Sequence, residues 1–154
     1  MKTAKTLRVE NILIDYTSKT GVFGCKEVTL RNPIYDNSKE RVDYITFDNY
    51  STIRSYEIKV TKADLMSSNR LSWWGDYNYL VVTKELYEQL KKDDYLGKLP
   101  WGCGVISIDL STAKVKHEVK AGKKQVTPAA KMQIVESIAK SACNQLLKSV
   151  YLNI

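Results

Sequence analysis

Asp43, Glu57 and Lys59 are the side chains of this chain best suited by type and spacing to do chemistry together. Thirteen residues separate the two acids, and a single residue separates Glu57 from Lys59. Two carboxylates can hold Mg2+ through oxygen, and an amine beside them can orient a water or steady the charge on a phosphoryl group. Such a set suits hydrolysis of a phosphodiester, whose own negative charge repels an incoming hydroxide. A main-chain carbonyl near Ile58 would supply another oxygen ligand. The plainer reading is a surface ladder of ion pairs, because opposite charges often occupy neighbouring strand positions.

The elements that must position these groups are legible around them. Arg41–Phe47 and Thr52–Val60 read as strands joined by the turn-rich Asp48-Asn49-Tyr50-Ser51. Alternation along the second strand puts Tyr56, Ile58 and Val60 on one face and Glu57 with Lys59, about 7 Å apart, on the other. Hairpin pairing would then bring Asp43 up to them. Upstream, residues 3–18 predict a helix with Val9, Ile12, Leu13 and Tyr16 as its apolar stripe. Glu10 borders that stripe, as a further metal-site acid or a partly buried structural glutamate. Cys25–Arg31 predicts a first strand, ended by Asn32-Pro33, and the three strands together suggest an antiparallel meander.

Downstream, Tyr77–Val82 is an apolar run that predicts a strand buried on both faces. Thr83 caps a helix over Lys84–Lys92, and Gly104–Leu110 and Ala113–Val119 predict two more strands. Thr127-Pro128 opens a last helix to about Val150, with Met132, Val135, Ile138, Ala142 and Leu146 expected to face inward.

An acid on one strand, then an acid, one residue and a lysine on the next, behind a helix and ahead of another helix and strand, resembles the PD-(D/E)XK nuclease superfamily. Val42 stands where the family pattern has proline. The runs Lys59–Leu65 and Asp76–Val82 look most like its small stand-alone MmcB-like DNA-repair branch. The resemblance implies an α/β (α+β sandwich) fold, with a restriction-endonuclease-like αβββαβ core over about residues 5–110. That core is a central mixed sheet flanked by helices, here followed by a basic C-terminal strand and helix over 111–154, all in a single domain. It also implies a Mg2+-dependent deoxyribonuclease, with Mn2+ as an alternative ion, working in repair, recombination or phage and mobile-element DNA processing. Asp43, Glu57 and Lys59 would be catalytic, and Asp43, Glu57, the Ile58 main-chain carbonyl and Glu10 would hold the metal. Lys62, Asn69, Arg70, Lys123 and Lys124 are the candidates for nucleic-acid contacts. The expected partner is DNA, with RNA and a homodimer left open. The competing readings are a catalytically inactive nucleic-acid-binding protein on the same fold and an interaction protein with no nucleic-acid role.

Composition narrows the field further. The chain of 154 residues is long enough for one core of its own. No apolar run approaches the ~20 residues that span a bilayer, and the lysine-bearing N-terminus leads into no apolar signal stretch, so a cytoplasmic location is expected. Three widely spaced cysteines form no C-x-x-C, and a lone His117 excludes histidine-rich zinc sites. The net charge of +7 is uneven: residues 111–154 hold eight lysines against Glu118 and Glu136. That end either faces a polyanion or is a solvated lysine-rich surface. Trp73-Trp74 suggests a base-stacking platform, though core anchors are the commoner use of tryptophan.

Overall fold

The structure, a computed structural model, describes residues 2–31, 39–67 and 73–152. In chain order the elements are α1 (Ala4–Thr17), β1 (Val22–Arg31), β2 (Lys39–Asp48), β3 (Ile53–Lys59), α2 (Lys62–Ser67), β4 (Tyr77–Thr83), α3 (Lys84–Lys92), β5 (Cys103–Asp109), β6 (Lys114–Val119) and α4 (Pro128–Leu152). The strands lie in one sheet in chain order, β1 to β6. The first three form the expected antiparallel meander. Beyond β3 the chain crosses over through α2, and beyond β4 through α3, so β3, β4 and β5 run parallel. A final hairpin makes β6 antiparallel to β5.

Alternation in the strands assigns the layers. Tyr56 and Ile58 of β3, Val81 of β4 and Ile106 of β5 pack with Val9 and Leu13 of α1. On the opposite face, Leu80 and Val82 meet Leu86 and Leu90 of α3, while Val28, Val42 and Ile45 meet Ile134 and Ile138 of α4. The result is a mixed sheet between helices, with β4 and most of β5 buried on both sides as the run of apolar residues required. No helix among the described residues is long and apolar enough to cross a membrane.

Two helical expectations are corrected. Tyr16 is not part of the inward stripe of α1 but is exposed, and buried Glu10 completes that stripe instead. On α4, Met132 and Leu146 face solvent, Val135 and Ala142 are exposed, and of the expected stripe only Ile138 is buried, together with Ile134. Polar contacts set that rotation. Lys131 Nζ donates to the Ser51 carbonyl at 2.7 Å, and Gln145 Nε2 donates to the Lys26 carbonyl at 2.7 Å. Lys131, three residues before Ile134, and Gln145, seven after Ile138, lie on the same helix face as these two.

The meander is not regular throughout. Cys25 and Val28 both join the α4-side core although three residues apart, and so do Val42 and Ile45 opposite them. Both strands therefore change face between these positions, at Glu27 (φ 55°) and Asp43. Asp43 is turned out of the regular alternation.

Candidate active site

The β2–β3 ladder runs from Phe47↔Ile53 to Tyr44↔Tyr56 and stops there. In the same register the next opposed residues are Asp43 and Glu57. Instead of continuing the ladder, Asp43 reaches across with its side chain, and its Oδ2 accepts a hydrogen bond from the Ile58 N–H at 2.8 Å. β3 stays paired on its other side, with Glu57 beside Leu80 and Lys59 beside Val82 of β4. The site thus has one rigid wall and one parted edge. In an extended strand the N–H and C=O of one residue leave on the same side, so the Ile58 carbonyl also faces this opening.

The opening leads into a cleft of about 650 Å3, bounded by Asp43 and Arg41 of β2, by Lys59, and by Lys2, Thr3 and Thr6 at the start of α1. Asp64 lines it too, with an Oδ1 3.9 Å from Lys59 Nζ. Lys59 is well packed, with its side chain 15% exposed. Glu57 lies deeper. Burial first, then the charge of Asp43 and a hydrogen bond with it, push the Glu57 carboxyl up to about 9, against a smaller opposing pull from Lys59. At neutral pH Glu57 therefore holds its proton.

The structure brings Asp43, Glu57, the Ile58 main chain and Lys59 together. Glu10 is linked to the cleft through Lys2, which lines it. Glu10 is buried under α1 and forms ion pairs with Lys2 and with Lys26, the latter at 3.8 Å. No group of three or more His, Cys, Asp or Glu placed to hold a metal occurs among the described residues. The donor set is compatible with Mg2+ nonetheless. That ion keeps several waters and is commonly held by one or two carboxylates, whereas a site built wholly from protein ligands would need more acids.

Among the nucleic-acid candidates, Lys62 opens α2 and is paired with Asp93. Lys123 and Lys124 are exposed at the far end of the sheet, and Lys124 Nζ donates to the Trp73 carbonyl at 3.3 Å. Asn69 and Arg70 lie outside the described residues. Trp73 and Trp74 pack against the α3-side and α4-side cores, and Trp74 Nε1 donates to Glu40 at 2.8 Å. They serve as anchors.

Two residues carry weight that the sequence did not signal. Asp76 is buried and ties three segments together, accepting from the N–H of Ile53 at 2.9 Å and of Val126 at 3.0 Å and pairing with Lys131 at 3.4 Å. Trp101 stands 85% exposed in the Pro100-Trp101-Gly102 turn. Its only sequence signal is an aromatic residue between a proline and a glycine.

Comparison with known proteins adds to this geometry a likeness of fold. No family model matches the chain, and no curated protein matches it. Among solved structures, the SPO1766 protein of unknown function from Silicibacter pomeroyi is similar over 95% of this chain and 90% of its own, with a TM-score of 0.66 and 18% identity. The fold is shared. At that identity the likeness concerns architecture and carries no residue roles.

Proposed function

We propose that the chain is a metal-dependent nuclease of PD-(D/E)XK type, hydrolysing DNA phosphodiester bonds in the cleft at the parted end of β2 and β3. The observation that carries this reading is the convergence of Asp43, Glu57 and Lys59 at one strand divergence, with the Asp43 carboxylate on the Ile58 N–H. An ion-pair ladder would keep these groups apart on an exposed face. Here the acids are pressed together at the cost of trapping a proton, a cost that a divalent cation removes. The element order, one helix, three meandering strands, a short helix and a parallel strand, is the order such a core requires. A restriction-endonuclease-like identity of the sandwich belongs to this proposal.

When bound, Mg2+ or Mn2+ would neutralise phosphate charge and make water acidic enough to attack near neutral pH. Asp43, oriented by Ile58, and Glu57, once it loses its proton, would hold the ion together with the Ile58 carbonyl. Lys59 stands on the cleft side of Glu57, where its ammonium can steady a non-bridging phosphate oxygen or hold the attacking water in line. Lys2 and Arg41 also line the cleft wall, each paired with Glu27, which lines it beside them.

The test is cleavage of labelled duplex and single-stranded DNA with Mg2+ or Mn2+. Wild type is expected to cut, and Glu57→Gln and Lys59→Ala to lose at least ~100-fold in rate while keeping their circular dichroism. Salt-sensitive binding without cleavage in wild type would leave a binding protein on this fold, and activity undiminished in Glu57→Gln would remove the site.

A further inference from the structure

At the opposite end of the sheet from the Asp43 cleft lies a second, smaller slot of about 310 Å3. Its walls include the indoles of Trp73 and Trp101, the backbones of Gly102 and Gly122, and Lys124. The turn bearing Trp101 is closed onto the segment after β6 by a hydrogen bond from the Gly122 N–H to the Gly102 carbonyl at 3.0 Å. The Trp101 ring lies over Gly122, where a β-carbon would stand 3.7 Å from its Cη2. One buried donor in the slot wall, Trp73 Nε1, has no hydrogen-bond partner among the described residues. Asn78 bonds Gly75 through both ends of its amide, each at 2.9 Å, which fixes its orientation in the slot.

Three observations converge on what the slot would take. An indole left 85% exposed beside a slot holds one face ready for a flat partner, which would remove apolar area from water. The volume, near the lower limit for ligand sites, admits one planar heterocycle and little more. The lining contains no acid, while Lys120, Lys123 and Lys124 are exposed along the segment under Trp101, and exposed Lys98 precedes Trp101 in its own loop. The lysines lie beyond the slot as well as in it, which fits a ligand whose anionic groups continue past the stacked ring.

We propose that the Trp73–Trp101 slot is a second nucleic-acid contact, seating one unpaired base of a single strand by stacking on Trp101 while the lysines take the flanking phosphates. A paired base is stacked within its own duplex and cannot enter, so the slot selects single-stranded or locally opened nucleic acid. Val82, beside Lys59, and Asn78, at the slot, are four residues apart on β4, and the slot extends to β5, two strands over from β3; the two sites are therefore on the order of 15–20 Å apart. A few nucleotides of one strand bridge that span. This inference takes its polymer from the nuclease reading but does not depend on cleavage.

The experiment is a tryptophan-fluorescence titration of the metal-free chain with a short oligothymidylate, with thymidine monophosphate in a parallel arm. Wild-type emission is expected to be quenched by the oligonucleotide. Trp101→Ala is expected to lose that quench and about tenfold or more in affinity, with an unchanged melting temperature because the side chain is exposed. Trp101→Phe should recover part of the affinity, and Glu57→Gln should quench as wild type does. Binding that leaves emission unchanged, or survives intact in Trp101→Ala, overturns the slot and leaves the Asp43 cleft untouched. Equal affinity for the monophosphate overturns the strand in favour of a free nucleotide. Loss of cleavage chemistry with the Trp101-dependent quench retained would sink the nuclease reading alone.

Discussion

Glu57 is where the local physics of the candidate site is most exposed to measurement. Desolvation and the neighbouring Asp43 push its carboxyl up to about 9 in the folded chain, against 4.5 ordinarily. The folded state thus binds a proton that the unfolded chain releases over this interval, and stability must fall as pH rises. Below about pH 4.5 the group contributes no difference; by about pH 9 the whole penalty is present. Metal-free wild type is therefore expected to lose urea resistance from pH 5 to 9 relative to Glu57→Gln, which cannot ionise. Mg2+ should raise the wild-type melting temperature and leave that of Glu57→Gln unchanged. A flat difference between the two proteins across this range would mean that Glu57 is solvated and not pressed against Asp43.

Among the elements, the parallel half of the sheet and the C-terminal helix are held in register by a single buried acid. Burial alone would raise the Asp76 pKa, but the N–H groups of Ile53 and Val126 and the ammonium of Lys131 outweigh it and hold the carboxyl below its ordinary value. Asp76→Ala leaves the Ile53 and Val126 N–H groups without their acceptor and takes one of two partners from Lys131, so a loss of about 3 kcal/mol is expected in urea denaturation. The contribution of Asp76 is present above the unfolded pKa and disappears as pH falls through the depressed folded value, so wild type and variant should converge in strong acid. The neighbouring Gly75 serves the same junction through close approach: a β-carbon there would stand 2.7 Å from the Tyr77 carbonyl oxygen and 2.8 Å from that of Ile53, both backbone atoms that cannot yield.

For the molecule as a whole, the excess charge sits where a polyanion could reach it. Seven of the eight lysines in residues 111–154 are exposed, Lys131 being the exception. Lys114 and Lys116 lie on the edge strand β6, where they also discourage edge-to-edge pairing with another sheet. If nucleic acid is the partner, affinity must fall steeply with salt as counterions are released. Lys120→Gln with Lys123→Gln should flatten the log–log salt slope by about 1–2 while leaving stability unchanged. A slope that does not change would place the strand elsewhere on the surface.

The amino-acid sequence by itself determined the element order and the pairing of β2 with β3. Period-two alternation from Thr52 to Val60, the turn at Asp48–Ser51 and the caps at Thr83 and Thr127 are local signals, and local physics suffices to read them. It also named Asp43, Glu57 and Lys59, because an acid, an acid and a lysine on two consecutive strands is a local pattern. The rotation of α4, the withdrawal of Glu10 into ion pairs, the anchoring by Asp76 and the meeting of Trp101 with Gly122 were decided only by the tertiary structure. Each depends on a partner far away in sequence: Lys131 on Ser51, Gln145 on Lys26, Glu10 on Lys26, Asp76 on Val126. A helix with two apolar stripes can bury either one. The choice between them is made where distant polar groups find their hydrogen bonds, a condition that periodicity does not encode.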